Sequence, residues 1–180
     1  MHAEMLSTTQ PPYLRSSEIE DRARLLLQQH GLFCTPINPV AVASVLGIEV
    51  FNASFDGDSI SGMLRKSEGR YEILVNHSHP PARKRYTIAH ELGHYVLHRD
   101  QVESFVDPEL NLFRSKPPDQ KTPAERVREI QANMFAAALL MPEELVRQQL
   151  QATNDLPRLA SVFQVSHSAM GNRLNNLDLG

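Results

Sequence analysis

Hydrophobic positions along the chain change period twice. Between positions 17 and 31, Ile19, Ala23, Leu26 and Leu27 recur at three- and four-residue intervals, the stripe of an amphipathic helix. Ser17 and Glu20 stand at capping-box spacing, and Gly31 supplies the stop. A second helix is predicted over about 39–46, with Asn38 as N-cap, Pro39 first and Gly47 behind it. The period then falls to two. Segments 48–51, 59–64 and 71–76 read as strands, and Tyr71, Ile73 and Val75 share one face of the last. Asp56-Gly57-Asp58-Ser59 reads as a turn, and Lys66-Ser67-Glu68-Gly69 as a hairpin connection. The expectation is a small antiparallel sheet after two helices.

Helical spacing returns after Pro80-Pro81, over about 83–98. A polar connection with several prolines follows. Thr122, Pro123 and Glu125 then form an N-cap, a first-turn proline and a capping-box acid in register for a fourth helix that Pro142 ends. From Met134 to Met141 this helix is apolar all round, which predicts burial. Residues 143–180 read as helical throughout. Within them Leu159 to Leu174 resembles a helix-turn-helix, with Gln164 where the turn glycine of DNA-binding versions stands and Ser166 as the second helix's N-cap. The predicted organisation is a loose leader (1–16), a main α+β domain (17–142) and a C-terminal helical segment packed on it (143–180).

Composition narrows the function classes. The chain has 180 residues, 18 Lys+Arg against 21 Asp+Glu, a net charge of -3 and one cysteine against eight histidines. A single thiol excludes a disulfide framework and a Cys-rich zinc module. Cys34, beside Leu32 and Phe33, is expected to be a buried small hydrophobe. No signal-peptide pattern opens the chain, and its longest apolar run is too short for a bilayer, so the expected compartment is the cytoplasm, with no membrane association. The C-terminal segment carries three arginines, no lysine and four acids. DNA affinity rests on cationic contacts to phosphate, so no direct nucleic-acid binding is expected.

The chemistry concentrates in His90-Glu91-Leu92-Gly93-His94. Residues four apart share one helix face, so two imidazoles can bind one metal ion, and Glu91 can reach a water activated there. Uncharged or apolar neighbours, Thr87-Ile88-Ala89 and Tyr95-Val96-Leu97, place these polar groups in a buried helix, where they need a compensating role. A catalytic zinc takes three protein ligands. Glu129, on the fourth helix, is the candidate third; Glu125 competes, but capping explains it. Asn133, one turn on, could accept the free ring N–H of a ligating histidine. Gly93 costs about 1 kcal/mol inside a helix, and close packing beside the metal would explain it. A second oxyanion donor is sought among Tyr95, His98, His77 and His79, with His98 alternatively an outer partner of the site. Asn76 is a candidate for fixing the substrate peptide, or else a turn former. Arg83-Lys84-Arg85 reads as a solvated first turn, and is a weak hint of an acidic substrate segment.

The segments RYTIAHELGHYVLH (85–98), EIQANMFAAALLMP (129–142), ISGML (60–64), EILVN (72–76) and INPVAVASVLGIEV (37–50) together resemble the ImmA/IrrE family of zinc metallopeptidases. The resemblance runs over about 18–142, and more weakly beyond. It implies a zincin-like, gluzincin-like core with one Zn2+ per chain, held by His90, His94 and Glu129, and Glu91 as general base. Gln131 stands where the family often has Glu. The resemblance further implies a bacterial regulatory protease whose protein substrate is a helix-turn-helix repressor encoded nearby, derepressing phage, mobile-element or stress genes. In related zinc peptidases a strand like 71–76 lines the cleft and pairs with the substrate backbone. The rival reading is a non-catalytic repressor- or antitoxin-type binding protein with a vestigial metal site.

Overall fold

The computed structural model describes residues 13–55, 60–102 and 121–180. In chain order the elements are α1 (Ser16–Gln29), α2 (Pro39–Val45), β1 (Glu49–Ala53), β2 (Gly62–Ser67), β3 (Arg70–Asn76), α3 (Pro81–Val102), α4 (Pro123–Leu140), α5 (Glu143–Leu150), α6 (Leu156–Phe163) and α7 (His167–Asn176). The class is α+β. α4 is the axle, with α1 and α3 packed against it, and β2 and β3 lie on α3.

Local chemistry explains most boundaries. Asn38 Oδ1 accepts from the Val40 and Ala41 amides at 3.0 and 3.4 Å, which starts α2. The Glu125 amide donates to Thr122 Oγ1 at 3.2 Å and the Thr122 amide to Glu125 Oε2 at 2.7 Å, a reciprocal cap on α4. α1 departs from its expected cap. It begins at Ser16, and Glu18 reaches back to the Arg15 amide at 2.9 Å. Glu20 is not the capping acid, because Arg173 of α7 holds its carboxylate. At the other end Gln164 adopts the left-handed conformation (φ 54°, ψ 46°) that closes α6, and the Ser166 hydroxyl accepts from the Ala169 amide at 3.1 Å to open α7.

The sheet is mixed rather than antiparallel. Its order is β1-β3-β2. β2 and β3 form the expected hairpin, turning through Glu68 and Gly69, both at positive φ. β1 instead runs parallel to β3, from Glu49 opposite Glu72 to Ala53 opposite Asn76. The tight hairpin commits β2 to one edge of β3, so β1 takes the other. β3 is therefore central, with both edges taken. It has no free edge for a further strand, the role that segment 71–76 is expected to play. The turn expected at Asp56–Ser59 and most of the 1–16 leader lie outside the described residues.

One continuous core joins these layers. Ile19 and Leu27 of α1, Leu64 and Ile73 of the sheet, Leu92 of α3 and Phe135 and Leu139 of α4 are fully buried, as are Val146, Leu159, Phe163 and Met170 of α5–α7. Truncating a buried phenylalanine such as Phe135 costs about 3–5 kcal/mol. Cys34 departs from its expected burial. It is exposed in the loop after α1, because its neighbours Leu32 and Phe33 take up the packing there. Among the described residues no helix is long and apolar enough to cross a membrane.

Candidate metal centre

Helix spacing and one close helix contact build the site. His90 and His94 are a turn apart on α3, and Glu129 comes from α4, which runs alongside. Gly93 sets the separation. A Cβ there would lie 3.0 Å from both Cα and O of Ala132 and 3.2 Å from Cβ of Phe135, so any larger residue would push α4 away. The sheet is seated equally tightly. A Cβ on Gly62 of β2 would meet Thr87 of α3 at 2.5 Å, so glycine lets this strand lie on the site helix.

The three predicted ligand side chains converge. One donor atom from each of His90, His94 and Glu129 lies within 4.8 Å of the others. His94 Nε2 is 3.1 Å from His90 Nε2 and 3.3 Å from Glu129 Oε1, while His90 Nε2 is 3.5 Å from Glu129 Oε2. Ligands on a tetrahedral zinc with bonds near 2.05 Å stand about 3.3–3.5 Å apart, so the spacing fits such an ion. The donor set fits as well, since two imidazoles and a carboxylate are borderline and hard ligands suited to zinc. Asn133 lies where the spacing placed it. Its Oδ1 is 2.9 Å from His90 Nδ1 and accepts from the Tyr86 hydroxyl at 2.8 Å. An acceptor on Nδ1 puts the ring proton there and turns the Nε2 lone pair towards the cluster.

Electrostatics separate the groups. Glu91 is 3% exposed, and burial pushes its carboxyl up to about 7, against the pull of His90 and the Leu64 amide of β2. Its Oε2 has no hydrogen-bond partner among the described residues. Burial likewise lowers His94 to about 4 despite its contact with Glu129. Burial also opposes the charge on Glu129, but hydrogen bonds to His90 and His94 outweigh it and hold that carboxyl far below its usual range. A buried acid beside a convergent set of lone pairs is costly for fold stability, which makes this a candidate functional site.

The remaining candidates lie elsewhere. His98 is buried one turn below, 5.9 Å from the His94 ring, and burial with the charges of His94 and Arg128 lowers it to about 3, so it is neutral. Tyr95 turns to the sheet. Its ring meets Tyr71 edge-on at 4.9 Å and Arg99 sits over it at 4.6 Å, so it is not an oxyanion donor in this arrangement. Asn76 is used internally, its Nδ2 donating to Ile60 O at 2.9 Å and its Oδ1 accepting from Ser78 N and Oγ. It closes the turn after β3 rather than fixing a peptide. His77 is exposed near Ala53 O, and buried His79 stands outside the ligand cluster. Two residues escaped the sequence reasoning. Tyr86 precedes His90 by one turn, so helix spacing could have found it. Lys121 places its ammonium 3.2 Å from Glu129 Oε2 with only 14% of its side chain exposed. Nothing in sequence distinguished that lysine from a solvated residue before a helix cap.

Paired histidines on one helix, an acid beside the first, and a second acid from an adjoining helix define a metallopeptidase-type site on an α+β scaffold. Residues 43–175 match the IrrE N-terminal-like domain model of Peptidase_M78, and the chain belongs to that family. The radiation response metalloprotease IrrE of Deinococcus radiodurans is 35% identical over 101 residues, 54% of this chain. The chain spans 28% of that relative's length. A solved structure described as a Mycobacterium tuberculosis transcriptional regulator superposes with a TM-score of 0.62 over 88% of this chain and 46% of that one. At 24% identity that likeness concerns the fold alone.

Proposed function

We propose that this chain is a zinc-dependent endopeptidase of the bacterial cytoplasm, acting as a regulatory protease. Its substrate is a helix-turn-helix repressor encoded nearby, whose cleavage derepresses phage, mobile-element or stress genes. The observation that carries the reading is the convergence of His90, His94 and Glu129 at ligand spacing beside buried Glu91.

In this reading His90, His94 and Glu129 hold one Zn2+. When bound, the ion supplies Lewis acidity, activating water and polarising the peptide carbonyl. Glu91 takes the proton from water and passes it to the leaving amine; a carboxyl poised near neutrality suits both transfers. Asn133 and Tyr86 hold the His90 ring in its ligating tautomer. Lys121 is a cation beside the cluster and takes the place of Tyr95 as candidate donor to the developing oxyanion. β2, whose Leu64 amide reaches Glu91, is the edge strand beside the reacting groups.

The test incubates zinc-loaded wild type and Glu91→Gln with the repressor encoded beside this chain. Wild type is expected to cut it, and the variant to cut about 10²–10⁴-fold more slowly. Equal cutting would remove Glu91 from its role. A purified protein that cannot be loaded with one zinc per chain would support the rival, non-catalytic reading.

A further inference from the structure

The face of α3 that carries His90 continues towards its N-terminus through Tyr86 and Arg83, and the matching face of α4 continues from Glu129 through Asn133 to Ala137. Beyond the cluster this furrow opens into a groove of about 590 Å³, walled on its far side by α7 from Ser168 to Asn176. Its floor is apolar, with Ile130, Met134, Ala137, Met141 and Ala169 among its lining. Ile130 is 57% exposed although it adjoins the ligand Glu129 in sequence. The groove and the metal centre share a boundary, since Tyr86 and Asn133 line the groove and Asn133 holds His90.

The charge of the groove is one-sided. Among the described residues, two arginines and no carboxylate line it. Arg173 is neutralised by Glu20. Arg83 is exposed and bonds the Ser61 hydroxyl at 2.9 Å, with no carboxylate partner among the described residues. Its neighbours in the basic triplet face elsewhere: Lys84 donates to Asn52, and Arg85 ties down the Ile37 and Gln164 carbonyls.

We propose that this groove is the specificity subsite of the cleft. It takes a large aliphatic or methionine side chain of an extended polypeptide substrate, while a carboxylate from the same segment meets Arg83. The inference rests on the peptidase reading of the metal centre. Seven helical residues from His90 to Arg83 span about 10 Å, which an extended peptide covers in about three residues. The carboxylate that meets Arg83 therefore lies about three positions from the scissile bond, with the apolar residue adjoining it.

The test presents a randomised twelve-residue peptide library to two zinc-loaded proteins. Peptides retained by Glu91→Gln and peptides cut by wild type are both sequenced. Retained peptides are expected to be enriched roughly tenfold in Leu, Ile or Met at one position with Asp or Glu adjoining, and that acidic position to lie about three residues from the wild-type cuts. Ile130→Lys and Ala137→Phe, each made in the Glu91→Gln background, should return the apolar enrichment to background. Arg83→Glu should exchange the acidic preference for a basic one. Ile130 and Arg83 are exposed, so those two variants test the groove without disturbing the core. Unchanged enrichment in these variants, or none in the parent, overturns the subsite. So does a protein that dimerises through this face, with Ile130→Lys restoring the monomer and no peptide retained. If wild type cuts nothing while Glu91→Gln keeps its selective retention, the groove stands and the peptidase reading falls. If wild type cuts without positional preference, the peptidase reading stands and the subsite falls.

Discussion

Two places among the described residues bury charge in opposite ways. Arg173 is 4% exposed, yet each of its three guanidinium nitrogens has an acceptor. Nη1 and Nη2 pair with the two oxygens of Glu20, and Nε donates to the Met141 carbonyl at 2.9 Å. At the metal centre Glu91 has an orphaned oxygen, and two imidazole nitrogens and a carboxylate crowd one point. The first constellation is complete in itself and joins α1, the end of α4 and α7. The second leaves a buried carboxylate oxygen without a partner beside donor atoms that converge at the spacing a cation would need. Burial alone marks neither as functional; the unmet valence does.

The largest expected effect tests the complete site. Arg173→Met leaves Glu20 without its partner and strips a donor from Met141, which should cost about 3–5 kcal/mol. Chemical denaturation measures the loss, and zinc affinity of the molecules that remain folded should not change. A variant as stable as wild type would show that the pair is not the structural counterpart of the metal centre.

The incomplete site should respond with the reverse sign. In metal-free protein burial raises the Glu91 carboxyl to about 7, well above the ordinary carboxylate range. A raised folded pKa contributes stability that is full below the unfolded value and is lost as pH rises through the folded one. Glu91→Gln should therefore stabilise the metal-free protein at pH 8 by up to about 3 kcal/mol, while cutting activity. Melting curves at pH 5 and pH 8 check this, since the gain should shrink to under about 1 kcal/mol at the lower pH. Asn133→Ala comes next, with zinc affinity falling about 10–100-fold by chelator competition and little change in fold stability. The smallest effect is on Lys121→Met. Its ammonium pairs with a ligand, so the variant should bind zinc as tightly or slightly more tightly, yet cleave more slowly with KM unchanged. A loss of zinc instead would make Lys121 a support of the ligand set.

The legible parts of this structure are local. The histidine pair on α3, the cap on α4 and Asn133 beside His90 follow from spacings of three or four residues, which the helix fixes. Glu129 stands out because it lies one turn before the stretch, Met134 to Met141, where this helix becomes apolar all round and buried. The illegible parts depend on residues far apart in sequence. β1 does not join an antiparallel sheet, because strand order is decided by which edge of β3 the hairpin leaves open. Glu20 has the spacing of a cap, but its true partner, Arg173, lies near the other end of the chain. Cys34 sits among apolar neighbours, and that run hides the fact that they alone do the packing. Asn76 and Tyr95 have the right chemistry near the right helix, but orientation around a helix or turn decides whether a group reaches a site.

The close seam at Gly93 has one more consequence. It brings His94 and Glu129 within 3.3 Å of each other although roughly 35 residues separate them along the chain, so a metal held there would act as a cross-link. By loop-closure arithmetic such a link removes about 4 kcal/mol of chain entropy from the unfolded ensemble. Doubling the intervening segment would alter that by only about 0.6 kcal/mol. The ion that serves the chemistry would thus also clasp the two central helices, and the stretch between them could change in length at little thermodynamic cost.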